Sequence, residues 1–204
     1  MDHSPQHIRI FLSSPGDVNQ EREIAWQVID ALPDRPVFRD KITIRLVAWD
    51  KPGGGTPMLA KLTPQEAINL GHPTPAECDI VIVIFWSRMG TPFRIDNKDY
   101  LSGTQWEYLN AMESDRAEVI VYRRTEKVEL DLDAPDFENR RLQYERVKTF
   151  FDSFHDSETG QALRGVNLYS TPEDFRQNIE NHLEELVQRL LDRGVQPGEE
   201  ADQD

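Results

Sequence analysis

The chemistry in this sequence centres on Glu107. It occupies the first turn of a helix announced by Ser102-Gly103-Thr104-Gln105, a stretch with the form of a capping box, and Trp106 directly precedes it. A carboxylate so placed suits electrostatic work, stabilising positive charge as it develops on a bound molecule. Two further clusters, Ser13-Ser14-Pro15-Gly16-Asp17 and Trp86-Ser87-Arg88-Met89-Gly90, each follow an apolar run. Ser13, Ser14 and Asp17 offer polar contacts near a helix start whose N–H groups suit phosphate. Arg88, with Gly90 in the same loop, suits a diphosphate, and Trp86 and Trp106 suit stacking under a base or pyridine ring. Each residue also has a plainer reading. Ser14 and Asp17 are good helix caps, Glu107 suits the positive end of a helix dipole, and both tryptophans suit a core.

Other chemistries find no support. The glycines Gly53 to Gly55 are not followed by Gly-Lys-Ser/Thr or by a helix start, so they form no P-loop. The five histidines, His3, His7, His72, His155 and His182, are scattered and share no metal-ligand spacing with Cys78. No serine stands in a Gly-x-Ser-x-Gly elbow. The net charge of −14 and the lack of a Lys/Arg cluster argue against a nucleic-acid partner.

The elements that must position these residues alternate in type. Ile8 to Ser14 reads as a strand, followed by a helix from about Val18 to Leu32 that either Ser14 or Asp17 caps. Ile42 to Trp49 is a second strand, more alternating and so nearer a sheet edge, and Thr63 to Leu70 a short helix. Ile80 to Trp86 is continuously apolar, as in the central strand of a parallel sheet, and a polar loop with Arg88, Gly90 and Arg94 leads to the Glu107 helix. Glu118 to Tyr122 and Val166 to Tyr169 supply the remaining strands. Between them lies a helix from about Phe137 to Phe154, with Leu142, Val147, Phe150, Phe151 and Phe154 inward. A last helix, opened by Thr171-Pro172-Glu173-Asp174, buries Phe175, Ile179, Leu183, Leu186 and Leu190 and stops at Gly194. Five strands alternating with five helices imply an α/β fold: a three-layer, flavodoxin-like, five-stranded parallel sheet of order 2-1-3-4-5. That order sets the first and third strands side by side, and ligands of such sheets bind beyond their carboxyl ends.

Residues 1–194 read as one domain and 195–204 as an acidic tail or linker. A sole cysteine precludes an internal disulfide and fits a reducing compartment. The N-terminus lacks signal-peptide character, and no apolar run approaches the roughly eighteen residues of a membrane span. A cytoplasmic location is the expectation.

Three segments, IRIFLSSPGDVNQERE, CDIVIVIFWSRMGTP and SGTQWEYLNAM, in this order and spacing, resemble TIR-like domains at the N-termini of bacterial STAND-type NTPases and related defence proteins. The resemblance covers roughly Ile8 to Arg123. It implies hydrolysis of NAD+ at the nicotinamide–ribose bond by one glutamate, matched here by Glu107. NAD+ is then substrate and no cofactor is called for. It also matches Ser13 and Ser14 to the polar residues ending the first TIR strand, and the Gly53 to Gly55 loop to the BB loop. It further implies a self-associating effector with a C-terminal sensor or partner subunit. The pattern departs from the family's Ser-x-Trp-Cys-x-x-Glu, because Ser102 is one residue closer to the glutamate and Trp106 directly precedes it. One carboxylate suffices for this reaction. Nicotinamide leaves as a neutral molecule from a pyridinium cation, so it needs no acid, unlike the alkoxide leaving group of ordinary glycosidases. Two alternatives stand beside this expectation. One is nucleoside deoxyribosyl transfer, in enzymes with a similar Gly-Thr-x-x-Glu helix start and a nucleophilic glutamate; the other is a non-catalytic self-association module.

Overall fold

The computed structural model describes residues 4–48, 73–95 and 97–194. The expected helix from Thr63 to Leu70, the Gly53 to Gly55 loop and the tail 195–204 lie outside the described residues. Five strands form a parallel sheet: β1 (Gln6–Ser13), β2 (Ile42–Val47), β3 (Ile80–Phe85), β6 (Glu118–Arg124) and β7 (Asn167–Tyr169). Their order is β2-β1-β3-β6-β7, which is 2-1-3-4-5 counted among the sheet strands. The alternating strand β2 is at an edge and the uniformly apolar β3 at the centre, with all six of its residues fully buried. A fully buried strand has no polar face to present, hence its unbroken Ile/Val/Phe sequence.

Among the described residues four helices cover the sheet: α1 (Asn19–Ala31), α2 (Gly103–Met112), α3 (Phe137–Asp152) and α4 (Pro172–Gly194). The period of two along each strand decides which core each side chain joins. Ile8, Ile10 and Leu12 of β1, with Ile80, Ile82 and Ile84 of β3, pack in the core formed with α1 and α4. Phe11, Val81, Val83 and Phe85 point the opposite way, into the core formed with α2 and α3. The rings of Phe150 and Phe151 on α3 and of Phe154 just beyond its end meet one another at 5.2 Å between centroids.

Three local expectations are corrected. The segment after β3 contains an antiparallel hairpin, β4 (Phe93–Ile95) paired with β5 (Lys98–Tyr100), and Arg94 lies within it. Three-residue strands are too short to carry a readable period, and tertiary contact holds this one: Phe93 meets Tyr100 at 6.3 Å and Trp106 at 5.7 Å. Helix α1 begins after Val18, with no side-chain cap from either Ser14 or Asp17. On α3, Leu142 is 42% exposed and Gln143 takes the inward position. Gln143 and Val147 are one i,i+4 step apart on the stripe that continues to Phe150, Phe151 and Phe154, whereas Leu142 lies about 100° round from it. The stripe of α4 likewise runs Phe175, Ile179, Leu183, Val187, with Leu186 and Leu190 on its flanks.

Candidate functional site

Two polar clusters lie at the carboxyl ends of the strands. The first is built on α2. Its N-cap is Ser102, whose Oγ accepts from Gln105 N at 3.0 Å, while Gln105 Oε1 reaches back to accept from Leu101 N at 2.7 Å. The return bond lands one residue earlier than in a capping box and fixes the entry of the chain all the same. With the helix phase set there, Thr104, Glu107, Tyr108 and Ala111 form its buried stripe. Glu107 is only 4% exposed. Ser13, the last residue of β1, shares the parity of Phe11 and so points to the α2 side, where its Oγ donates to Glu107 Oε2.

Arg22 of α1 adds a cation to this cluster. Burial holds its guanidinium below the usual arginine value, and the negative charge of Glu107 acts in the opposite direction. Glu107 is thus a carboxylate largely removed from water, in contact with a hydroxyl and within the field of an arginine. In such surroundings a charge acts more strongly on a neighbouring charge than it does in water.

The second cluster ties two loops together. Asp17 Oδ2 accepts from Ser87 N at 2.8 Å, Ser87 Oγ at 2.9 Å and Arg88 N at 2.9 Å. Asp17 therefore joins the β1–α1 loop to the end of β3 instead of capping α1, and it takes the amides of Ser87 and Arg88. From the other side, Gln143 Oε1 accepts from Met89 N and Gly90 N, both at 2.9 Å, and its Nε2 donates to Gly90 O at 3.0 Å. Gly90 has φ +108°, and a Cβ there would stand 3.0 Å from Ser102 Cβ. This glycine serves a tight approach between the β3 loop and the start of α2, and its N–H is taken by Gln143.

Trp86 is half-buried at the next position. Its Nε1 donates to Glu126 O at 3.1 Å, and the Arg124 guanidinium lies 4.3 Å from the ring centroid. Arg124 also pairs with Glu126 and with the fully buried Glu21, at 3.0 Å, and Tyr169 donates its hydroxyl to the same Glu21 oxygen at 3.2 Å. Burial, then the Glu21 charge, pushes the Tyr169 hydroxyl well above the usual tyrosine range. This network joins α1, β6 and β7 beneath Trp86.

A cleft of about 820 Å3 is lined by Asp17, Trp86, Arg88, Lys127, Asn139 and Arg140, among others, and Glu107 is not in its wall. Of the expected residues, Ser13 and Glu107 meet each other, and Asp17, Trp86 and Arg88 meet at the cleft. Ser14 lies between them, its Oγ buried without a hydrogen-bond partner among the described residues. Trp106, 9% exposed and edge-on to Phe93, anchors the hairpin.

Sequence reasoning passed over Glu21, Arg22, Arg124 and Gln143. Two of these carried a signal: Glu21 precedes the inward Ile24, Ala25 and Val28 at helical spacing, and Gln143 stands in the stripe of Val147. A polar residue on an apolar stripe needs a partner and so points to a contact. Neither a protein-family model nor a curated protein matches this sequence. The fold itself is an α/β, flavodoxin-like parallel sheet. Among the described residues no helix is long and apolar enough to cross a membrane.

Proposed function

We propose that this domain hydrolyses the bond between nicotinamide and ribose in NAD+, with Glu107 as the catalytic carboxylate. The observation that carries the reading is the buried Glu107 held by Ser13, at the carboxyl end of β1 next to β3. In the reaction the C1′–N bond breaks and its electron pair returns to the pyridinium nitrogen, releasing neutral nicotinamide. The ribose is left with oxocarbenium character, which the Glu107 carboxylate stabilises while accepting from ribose hydroxyls. Water adds at C1′, loses a proton to solvent and completes ADP-ribose. Ser13 acts through Glu107, orienting its carboxylate. The TIR-like resemblance supports the same assignment and extends it to an NAD+-depleting, self-assembling effector of antiphage defence, coupled to a C-terminal sensor or partner.

Glu107→Gln is the test, because the amide keeps the shape and the acceptor for Ser13 while removing the charge. Nicotinamide release, read by chromatography at high protein concentration, falls by about 10²–10³-fold on the scale of losing one electrostatic stabiliser. Circular dichroism shows the variant folded. Undiminished release in Glu107→Gln refutes the assignment, and a wild-type chain that leaves NAD+ intact under crowding refutes the reaction.

A further inference from the structure

The cleft beside Asp17 has a chemistry of its own. Its carboxylates are unevenly engaged: Asp17 holds the Ser87 and Arg88 amides, and Glu126 holds Arg124. Its cations are not. Arg88, Lys127 and Arg140 are exposed, and none makes an ion pair among the described residues. Elsewhere many of the arginines are matched, as Arg35 is by Glu184, Arg116 by Asp79, Arg141 by Glu138 and Glu145, and Arg193 by Glu118. Glu129 and Asp136 line the cleft as well, so Arg88, Lys127 and Arg140 form the cationic side of a mixed wall in a chain of net charge −14.

The remaining wall supplies the rest of a recognition surface. The Trp86 indole has its N–H and one face committed to Glu126 and Arg124, so it is a rigid aromatic platform with no polar demand of its own. Asn139 brings an amide that can both donate and accept. Glu129 and Asp136 bring acceptors suited to ribose hydroxyls. The loop that carries Trp86 and Arg88 is clamped by Asp17 on one side and Gln143 on the other, so these groups are held in place before any ligand arrives. A volume of about 820 Å3 is within the usual range for small-molecule sites.

We propose that this cleft binds a nucleotide carrying two or more phosphates, with Arg88, Lys127 and Arg140 on the phosphates and Trp86 against the base. Glu107 does not line this cleft, and nucleotide binding here does not depend on cleavage of NAD+. The Ser13 to Asp17 loop touches both, reaching Glu107 through Ser13 and the cleft through Asp17.

Calorimetric titration of the full chain with ADP, adenosine and inorganic pyrophosphate tests it. ADP binds saturably, and adenosine binds at least about tenfold more weakly because it lacks the charge-assisted contacts. The Arg88→Gln/Arg140→Gln variant loses at least about tenfold in ADP affinity, and Lys127→Gln loses part of it. These are exposed side chains, so the variants keep the wild-type melting temperature. The indole N–H resonance of Trp86, assigned by its loss in Trp86→Phe, shifts on adding ADP. Three results overturn the proposal: no saturable heat up to millimolar ADP, equal ADP affinity in the double variant, or ADP binding that leaves the Trp86 resonance in place. Cleavage of NAD+ is not read in any of these measurements, so their failure leaves the Glu107 reaction standing, and the reverse holds too.

Discussion

Replacing Gln143 by methionine separates the two ways a polar residue can matter in a core. The side chains are similar in length, so packing on the α3 stripe changes little, while all three hydrogen bonds to the β3 loop are lost. The Met89 N–H is buried and has no water to turn to; Gly90 is half-buried and is partly rescued. At about 1 kcal/mol net per hydrogen bond, with a stranded buried donor costing somewhat more, the loss is about 3 kcal/mol. Total stabilities of about 5–15 kcal/mol make this a large fraction. In urea, with a slope of about 2 kcal/mol/M, the midpoint falls by about 1.5 M at unchanged slope. The same loop carries Trp86 and Arg88, so ADP affinity falls with it. A midpoint within about 0.3 M of wild type, well below that shift, refutes the claim that Gln143 holds the loop.

Three further outcomes follow from the same contacts. Gly90→Ala places a Cβ against Ser102 at a φ of +108° and destabilises the fold by about 1–3 kcal/mol, measured by urea unfolding. Glu21→Gln leaves Arg124 with Glu126 as its remaining counter-charge and costs about 1.5–3 kcal/mol, the scale of a hydrogen bond to a charged group; a loss under about 0.5 kcal/mol shows the Glu21 contact to be dispensable. Burial pushes the Cys78 thiol up to about 12, above its unfolded value, so the folded chain keeps a proton that the unfolded chain releases sooner. Stability from this group is intact below about pH 8.5 and declines as pH climbs towards 12; Cys78→Ala flattens that decline in urea midpoints taken across the range.

The sequence by itself determined the layers and their order. The unbroken apolar run Ile80 to Phe85 suits a strand covered on both faces, and the alternation in Ile42 to Val47 suits one nearer an edge. Such patterns depend on periodicity within a few residues, and so did the Ser102 cap and the Thr171–Asp174 reciprocal bonds that start α4. What a polar side chain meets is set by different physics. Asp17 reads locally as a helix cap, yet its partners lie 70 residues away, at the end of β3. Glu107 meets Ser13 because strand parity and helix phase converge across 94 residues. Only the pairing of β1 with β3 and the docking of α2 and α3 brought these groups within bonding distance. That packing brings Ser13 to Glu107, and sets Asp17, Trp86 and Arg88 in the wall of one cleft. Hydrogen bonds act over about 3 Å, and tertiary register, which no local pattern encodes, decides which atoms come that close.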